Sequence, residues 1–286
     1  MRTFFGEIRI LSSILAVTAL LLASCNVVND SSGGPFPDIP GLPALNSNRI
    51  ALYDDSGCWA ESVQASEAMF IWMGYSVTRI GADDIRSSTL QEFAGLCIPG
   101  GDMSLYAVDL QTAGISKIRN FVRMGGAYIG ICGGAYFAAA EVVWRDQVIP
   151  MNTLSFFEGK SQGPMDEIAA YPDYGLCRLD VSDTLHPITQ PLPRSLTVLY
   201  YWGPAFLPDQ ESGSQVLARY SVNGRAAVLA FECVGGRVFL IGTHPEIEED
   251  SDRDNVGWGE ILFDPESEWD MMKRAVRWCL RQDPDS

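Results

Sequence analysis

Ala127-Tyr128-Ile129-Gly130-Ile131-Cys132-Gly133-Gly134 joins a short apolar run directly to a cysteine set among glycines. A run of that length and apolarity, entered through Gly125-Gly126, predicts a buried β-strand over 127–131. The Ala-rich residues 135–141 predict a helix, which leaves Cys132 on the strand-to-helix junction in the pattern Gly-x-nucleophile-x-Gly. Such a sharp turn strains the backbone of its central residue and tolerates only small neighbours. It would lift the Cys132 sulfur over the carboxyl end of a sheet, at a helix amino terminus that favours a thiolate, with the Gly133 amide aimed at a developing oxyanion.

Outward from this junction, short apolar runs alternate with helical spacing. Strands are predicted over 49–53, 75–80 and 93–98. Helices are predicted over 59–73, where Val63, Ala65, Ala68, Met69 and Trp72 recur at helical spacing, and over 115–124, where Ile115, Ile118, Phe121 and Val122 share a face. This rhythm predicts an α/β fold, a mostly parallel sheet covered on both faces as a three-layer α/β/α sandwich. The second half is more β-rich, with strands over 176–181, 196–201, 215–220, 226–232 and 237–241 and a closing helix over 266–281. The 226–232 and 237–241 runs flank a short turn and read as a hairpin.

Composition narrows the function classes. Among 286 residues, 20 Lys and Arg face 36 Asp and Glu, and 47% are apolar. That excludes a disordered chain, a basic nucleic-acid binder and a polytopic membrane protein. Seven cysteines in so long a chain are not a small disulfide scaffold, and their odd number leaves at least one outside intrachain pairing.

Two further segments give Cys132 company. Ile241-Gly242-Thr243-His244-Pro245-Glu246 follows a predicted strand, and the chain holds only two histidines. His244 is therefore the candidate base, and Glu246, two residues on, the carboxylate that orients its imidazole. Pro99-Gly100-Gly101-Asp102 ends another strand, where paired glycines let backbone amides approach a substrate. Gly101 is the natural partner of Gly133 in an oxyanion hole, and Gly100, Asp102 and Tyr201 are candidates for the substrate pocket.

Gly-x-Cys-x-Gly with a distal His-Pro-Glu resembles the class I glutamine amidotransferase superfamily, which implies a flavodoxin-like sheet. Within it, Cys97-Ile98-Pro99-Gly100-Gly101-Asp102, the run FVRMGGAYIGICGGAYFA over 121–138 and FFEGKSQGP over 156–164 resemble the biotin-protein ligase amino-terminal-domain family. Tyr201-Trp202-Gly203-Pro204 fits that family's glycine-proline turn, and the similarity spans roughly residues 50–247. The resemblance implies Cys132 as nucleophile, His244 as base, Glu246 as orienter, and Gly101 and Gly133 as amide donors. No nucleotide-binding loop accompanies these motifs. A stand-alone hydrolase of an amide or peptide-like bond, working through a thioester without cofactor or metal, fits better than glutamine-dependent synthesis. The alternative is a non-catalytic ligand-binding or scaffold domain that keeps the fold.

The amino-terminal residues carry a separate message. Arg2 and Arg9 precede an apolar run over 10–22 too short to span a membrane comfortably, and Leu22-Ala23-Ser24-Cys25 resembles the bacterial lipobox. Residues 1–25 are expected to be a lipoprotein signal peptide, with Cys25 lipidated, 26–48 a Ser-, Gly- and Pro-rich tether, and 49–282 one amidotransferase-like domain. The expected location is the periplasmic side of a bacterial cell envelope, and Asn26 after the cysteine points to the outer membrane. An acidic chain is repelled by anionic lipid, so the lipid would have to hold it there.

The remaining features have plainer readings. His186, in a Pro-flanked loop, is expected to be structural, and Glu141 to cap or pair. Glu246, Glu248, Glu249, Asp250, Asp252 and Asp254 are expected to form a solvated acidic loop; Asn255 stands where a calcium loop needs glycine. Cys97 reads as a small core residue, and the pairing of Cys58, Cys97, Cys177, Cys233 and Cys279 stays open. Tyr200, Tyr201 and Trp202 fit either core or pocket wall.

Overall fold

The computed structural model describes residues 48–284 except 88, 210–212, 250, 260 and 265. The expected signal peptide with Cys25, and the tether up to residue 47, lie outside the described residues. The elements run β1 (Arg49–Tyr53), α1 (Ala60–Trp72), β2 (Ser76–Ile80), α2 (Ala82–Ser87), β3 (Gly95–Ile98), α3 (Met103–Arg123), β4 (Ala127–Ile131) and α4 (Gly133–Phe137). There follow β5 (Ala139–Trp144), β6 (Gln147–Val148), β7 (Phe157–Gly163), β8 (Gly175–Val181), β9 (Ser195–Tyr200), β10 (Ala205–Pro208), β11 (Gln215–Tyr220), β12 (Ala226–Cys233), β13 (Gly236–Ile241) and α5 (Trp269–Cys279).

Strands β2, β1, β3, β4 and β13 lie side by side in that order, all parallel. This is the flavodoxin-like order, in which the chain doubles back between β1 and β3 and places helices on both faces. Alternation along β1 shows the layering. Ile50 and Leu52 join one core with Val63 and Met69 of α1 and Met272 and Val276 of α5. Ala51 and Tyr53 join the other, with Ile85 of α2 and Tyr106 and Leu110 of α3. The β-rich second half extends the sheet through the antiparallel hairpin of β12 and β13, then β10, β7, β5 and β6, while β11, β8 and β9 branch from β12. Among the described residues no helix is long and apolar enough to cross a membrane.

Three local expectations change. The helix after Cys132 ends at Phe137 rather than continuing to 141, and the chain turns at once into β5, which pairs in parallel with β7. The β-branched Val142 and Val143 and the partner strand override the helix propensity of the alanines. The helix expected over 115–124 begins earlier, at Met103, where the Asp102 side chain accepts the Ser104 N–H at 2.8 Å. It is broken at Gln111 (φ 55°), so the sequence pattern captured only the stretch beyond the break. Strand β7 carries the FFEGKSQGP motif, whose polar, Gly-rich residues hid its period.

Candidate active site

The parallel strands β3, β4 and β13 end side by side, and the three sequence motifs continue from their carboxyl ends. Cys132 follows β4 with φ 46° and ψ −100°, a conformation that side chains with a Cβ adopt only under strain. Its neighbours must be small. A Cβ on Gly134 would lie 2.0 Å from the Ile98 carbonyl oxygen, and one on Gly133 would lie 2.3 Å from that of Gly101. Gly101 itself has φ 149° and passes so close to Gly57 that a side chain there would strike its carbonyl oxygen. The two glycines expected to donate amides therefore abut beside Cys132.

His244, after β13, is 1% exposed and Glu246 is fully buried. The His244 Nδ1 lies 2.8 Å from Glu246 Oε1, which fixes the ring orientation and leaves Nε2 facing Cys132. The backbone carbonyl of Tyr201 is common ground between the pair, 3.5 Å from Cys132 Sγ and 3.3 Å from His244 Nε2. Burial disfavours an imidazolium here, but the charges of Cys132 and Glu246 and their hydrogen bonds outweigh it and raise His244 to about 10. The arrangement thus favours an imidazolium at His244 beside the Cys132 sulfur.

The relay has a member that sequence reasoning missed. Ser62 Oγ, on the buried face of α1, donates to Glu246 Oε1 at 2.5 Å and accepts the Gly100 N–H at 2.9 Å. A serine on the core-facing side of an otherwise apolar helix was the available signal. Gly100 does not reach the pocket. It packs against the imidazole, where a Cβ would fall 2.5 Å from His244 Cε1, so its place is behind the base.

Gly101, Asp102, Cys132, Tyr201 and His244 do line one cavity, of about 460 Å³. Trp59 packs edge-on against His244, with ring centroids 5.0 Å apart, and Trp144, Tyr171 and Trp202 complete an aromatic wall. Of the three aromatics that close β9, Tyr200 is core and Tyr201 and Trp202 are wall. Among the described residues, no group of three or more His, Cys, Asp or Glu is placed to hold a metal ion.

Most of the acidic run beside the site is not solvated, although Asp252 is exposed. Glu246, Glu248, Glu249 and Asp254 are all buried. Asp254 accepts the backbone N–H of Glu248 and of Val256, and Glu248 pairs with Arg253 at 2.7 Å and accepts the Ser267 hydroxyl. Capping and pairing, which a charge count does not see, turn this segment inward. Asp264 and Glu268 are buried too, and burial first, then the charges of neighbouring carboxylates, Glu248 among them in each case, raise Glu249, Asp264 and Glu268, Glu249 to about 8. His186 lies outside the cavity, its Nδ1 accepting the Ile188 N–H, and Glu141 pairs with Lys160. Cys58, Cys97, Cys132, Cys177 and Cys279 are unpaired thiols, Cys97 wholly within the core.

The domain thus has a flavodoxin-like, amidotransferase-type fold, with a strained cysteine elbow over the carboxyl ends of its sheet beside a His-Glu pair. The family model described as biotin-protein ligase, N terminal, matches residues 48–260, and the chain belongs to that family. It is 31% identical over 163 residues to the biotin–protein ligase of Schizosaccharomyces pombe, a match covering 53% of this chain and 25% of the ligase, so the chain spans about a quarter of that relative. It is 32% identical over 219 residues to an uncharacterized protein of Chlamydia muridarum, covering 71% of this chain and 82% of that one. Among solved structures, a glutamine amidotransferase of Thermotoga maritima superposes with a TM-score of 0.47 at 13% identity, covering 83% of this chain and 98% of that one.

Proposed function

We propose that the protein is a cysteine-dependent hydrolase of an amide or peptide-like bond, acting through a thioester. The observation that carries this reading is the buried run of contacts from Ser62 through Glu246 and His244 to Cys132. In the first half-reaction the Cys132 thiolate attacks the acyl carbon, and the carbonyl electrons move onto oxygen, which the amides of Gly101 and Gly133 receive. The oxyanion collapses to a thioester as the amine leaves with the proton from His244 Nε2. In the second, neutral His244 takes a proton from water as the hydroxyl adds to the thioester, and collapse releases the acid and restores Cys132. Glu246, held by Ser62, keeps the imidazole in the tautomer both steps need.

We further propose that residues 1–25 direct export and that a lipid on Cys25 anchors the domain on the periplasmic side of a bacterial envelope, at the outer membrane. The lipobox-like Leu22-Ala23-Ser24-Cys25 supports this, and peptide-like bonds of the envelope are the matching substrate class.

Alkylation with iodoacetamide, followed site by site, tests the chemistry. Cys132 should label faster than Cys58 or Cys177, and His244→Ala should slow it. Equal, sluggish labelling of every thiol would leave a binding domain without turnover. Fatty-acid labelling of the full chain, lost in Cys25→Ser, tests the anchor, and label that persists in that variant refutes it.

A further inference from the structure

We infer that the cavity over Cys132 selects an acyl donor bearing an uncharged ring and rejects donors bearing a carboxylate, a substrate class that rests on the hydrolase reading above. The cavity, about 460 Å³, has room for a ring and the atoms linking it to a scissile bond. One wall is a continuous file of aromatic rings. Centroids step from Tyr136 to Trp144 in 5.8 Å, to Tyr171 in 6.2 Å, to Trp202 in 4.6 Å and to Tyr201 in 4.2 Å. A planar or flat-faced group laid along this wall gains both buried area and ring–ring contact.

The charge inventory points the same way. Among the described residues, no Lys or Arg lines the cavity, and the His244 imidazolium is already engaged by Glu246 and Cys132, so nothing there is free to pair with the carboxylate of a free amino acid. Arg145 approaches the wall, 5.0 Å from the Tyr171 ring centre, but is not part of the lining. Among the described residues, Asp102 is the one carboxylate that lines the cavity, and one of its oxygens already accepts the Ser104 N–H. A carboxylate entering would be desolvated without a partner and would meet Asp102 at close range. A neutral ring meets neither cost.

Rates of alkylation of Cys132 by N-acetyl chloromethyl ketones built on Phe, Leu, Glu and Lys, read by mass spectrometry on the full chain, test this. In each case a C–S bond forms and chloride leaves, so only the side chain differs. The Phe reagent should react about threefold to tenfold faster than the Leu reagent, the difference one aromatic contact supplies. The Glu reagent should be slower than Leu by roughly tenfold or more. Tyr171→Leu and Trp144→Leu should each bring the Phe-to-Leu ratio toward one. The ratio is taken within each variant, so a general loss of reactivity cancels, and Tyr171, 41% exposed, can be replaced without opening the core. Iodoacetamide separates the two readings. If it does not favour Cys132, the hydrolase reading falls. If it does, but Phe and Leu reagents react equally, or the Glu or Lys reagent is fastest, the substrate class alone is overturned.

Discussion

Ser62 Oγ donates a 2.5 Å hydrogen bond to Glu246 Oε1, joining the first helix to a carboxylate 184 residues further along the chain. The same oxygen accepts the Gly100 N–H, so one hydroxyl ties the loop that carries Gly101 to the pair that orients His244. Ser62→Ala would leave a buried amide and a buried carboxylate each short of a partner. We expect it to cost about 1–3 kcal/mol of stability in urea titrations. A merely structural role would stop there. A positioning role also lowers the rate of Cys132 alkylation, and an unchanged rate in the folded variant would refute it.

The two histidines should titrate in opposite directions. Burial, aided by Arg237 and opposed by Asp183, lowers His186 below its ordinary 6.5, while Cys132 and Glu246 override burial and raise His244 to about 10. The stabilisation from charged His244 is full below about 6.5, the pKa of the unfolded chain, and fades as pH rises through about 10. Nitrogen-15 NMR of the imidazoles should find His186 neutral at neutral pH while His244 is still protonated. Cys132→Ala should move the His244 titration down and leave His186 in place. If the His244 titration does not move, the cysteine and histidine are not electrostatically coupled.

Backbone strain at Cys132 makes an unusual stability order. With φ 46° and ψ −100°, the residue sits where a Cβ is unfavourable, a penalty on the order of 1–3 kcal/mol that glycine escapes. Cys132→Gly should therefore be more stable than Cys132→Ala by about 1 kcal/mol, after the greater chain entropy of unfolded glycine is counted. Chemical denaturation of the two variants checks this. An alanine variant equal to or better than the glycine variant would remove strain from the account of the elbow.

The inward-facing carboxyls make stability fall with rising pH. Glu249 is raised from 4.5 to about 8, first by burial and then by the charges of Asp264, Glu248 and Asp254, against a backbone hydrogen bond that lowers it. The folded chain thus keeps a proton that the unfolded chain gives up, and stability drains between about 4.5 and 8. Thermal melts should show wild type losing a few kcal/mol (roughly 1–3) relative to Glu249→Gln across that window. A difference that does not vary with pH would mean that Glu249 is solvated after all.

What was legible in the sequence was local. The apolar run over 127–131, ended by Cys132-Gly133-Gly134, needs only strand period and turn chemistry, and the structure places that strand at the same residues. The parallel half of the sheet follows from the same alternation repeated. His244 and Glu246 stood out because histidine is scarce and the pair is close in sequence. Strands β5, β7 and β10 were not legible, because they are short or polar and are held by their partners rather than by their own pattern. Nor could the sequence join Ser62 to Glu246, move Gly100 from the pocket to the back of the imidazole, or align Trp144, Tyr171 and Trp202 into a wall. Those depend on crossovers that bring distant segments to one sheet edge. The acidic run is the clearest case: its charge alone suggests exposure, and only the folded chain, by supplying Arg253, Ser267 and backbone amides as partners, turns Glu248 and Asp254 inward.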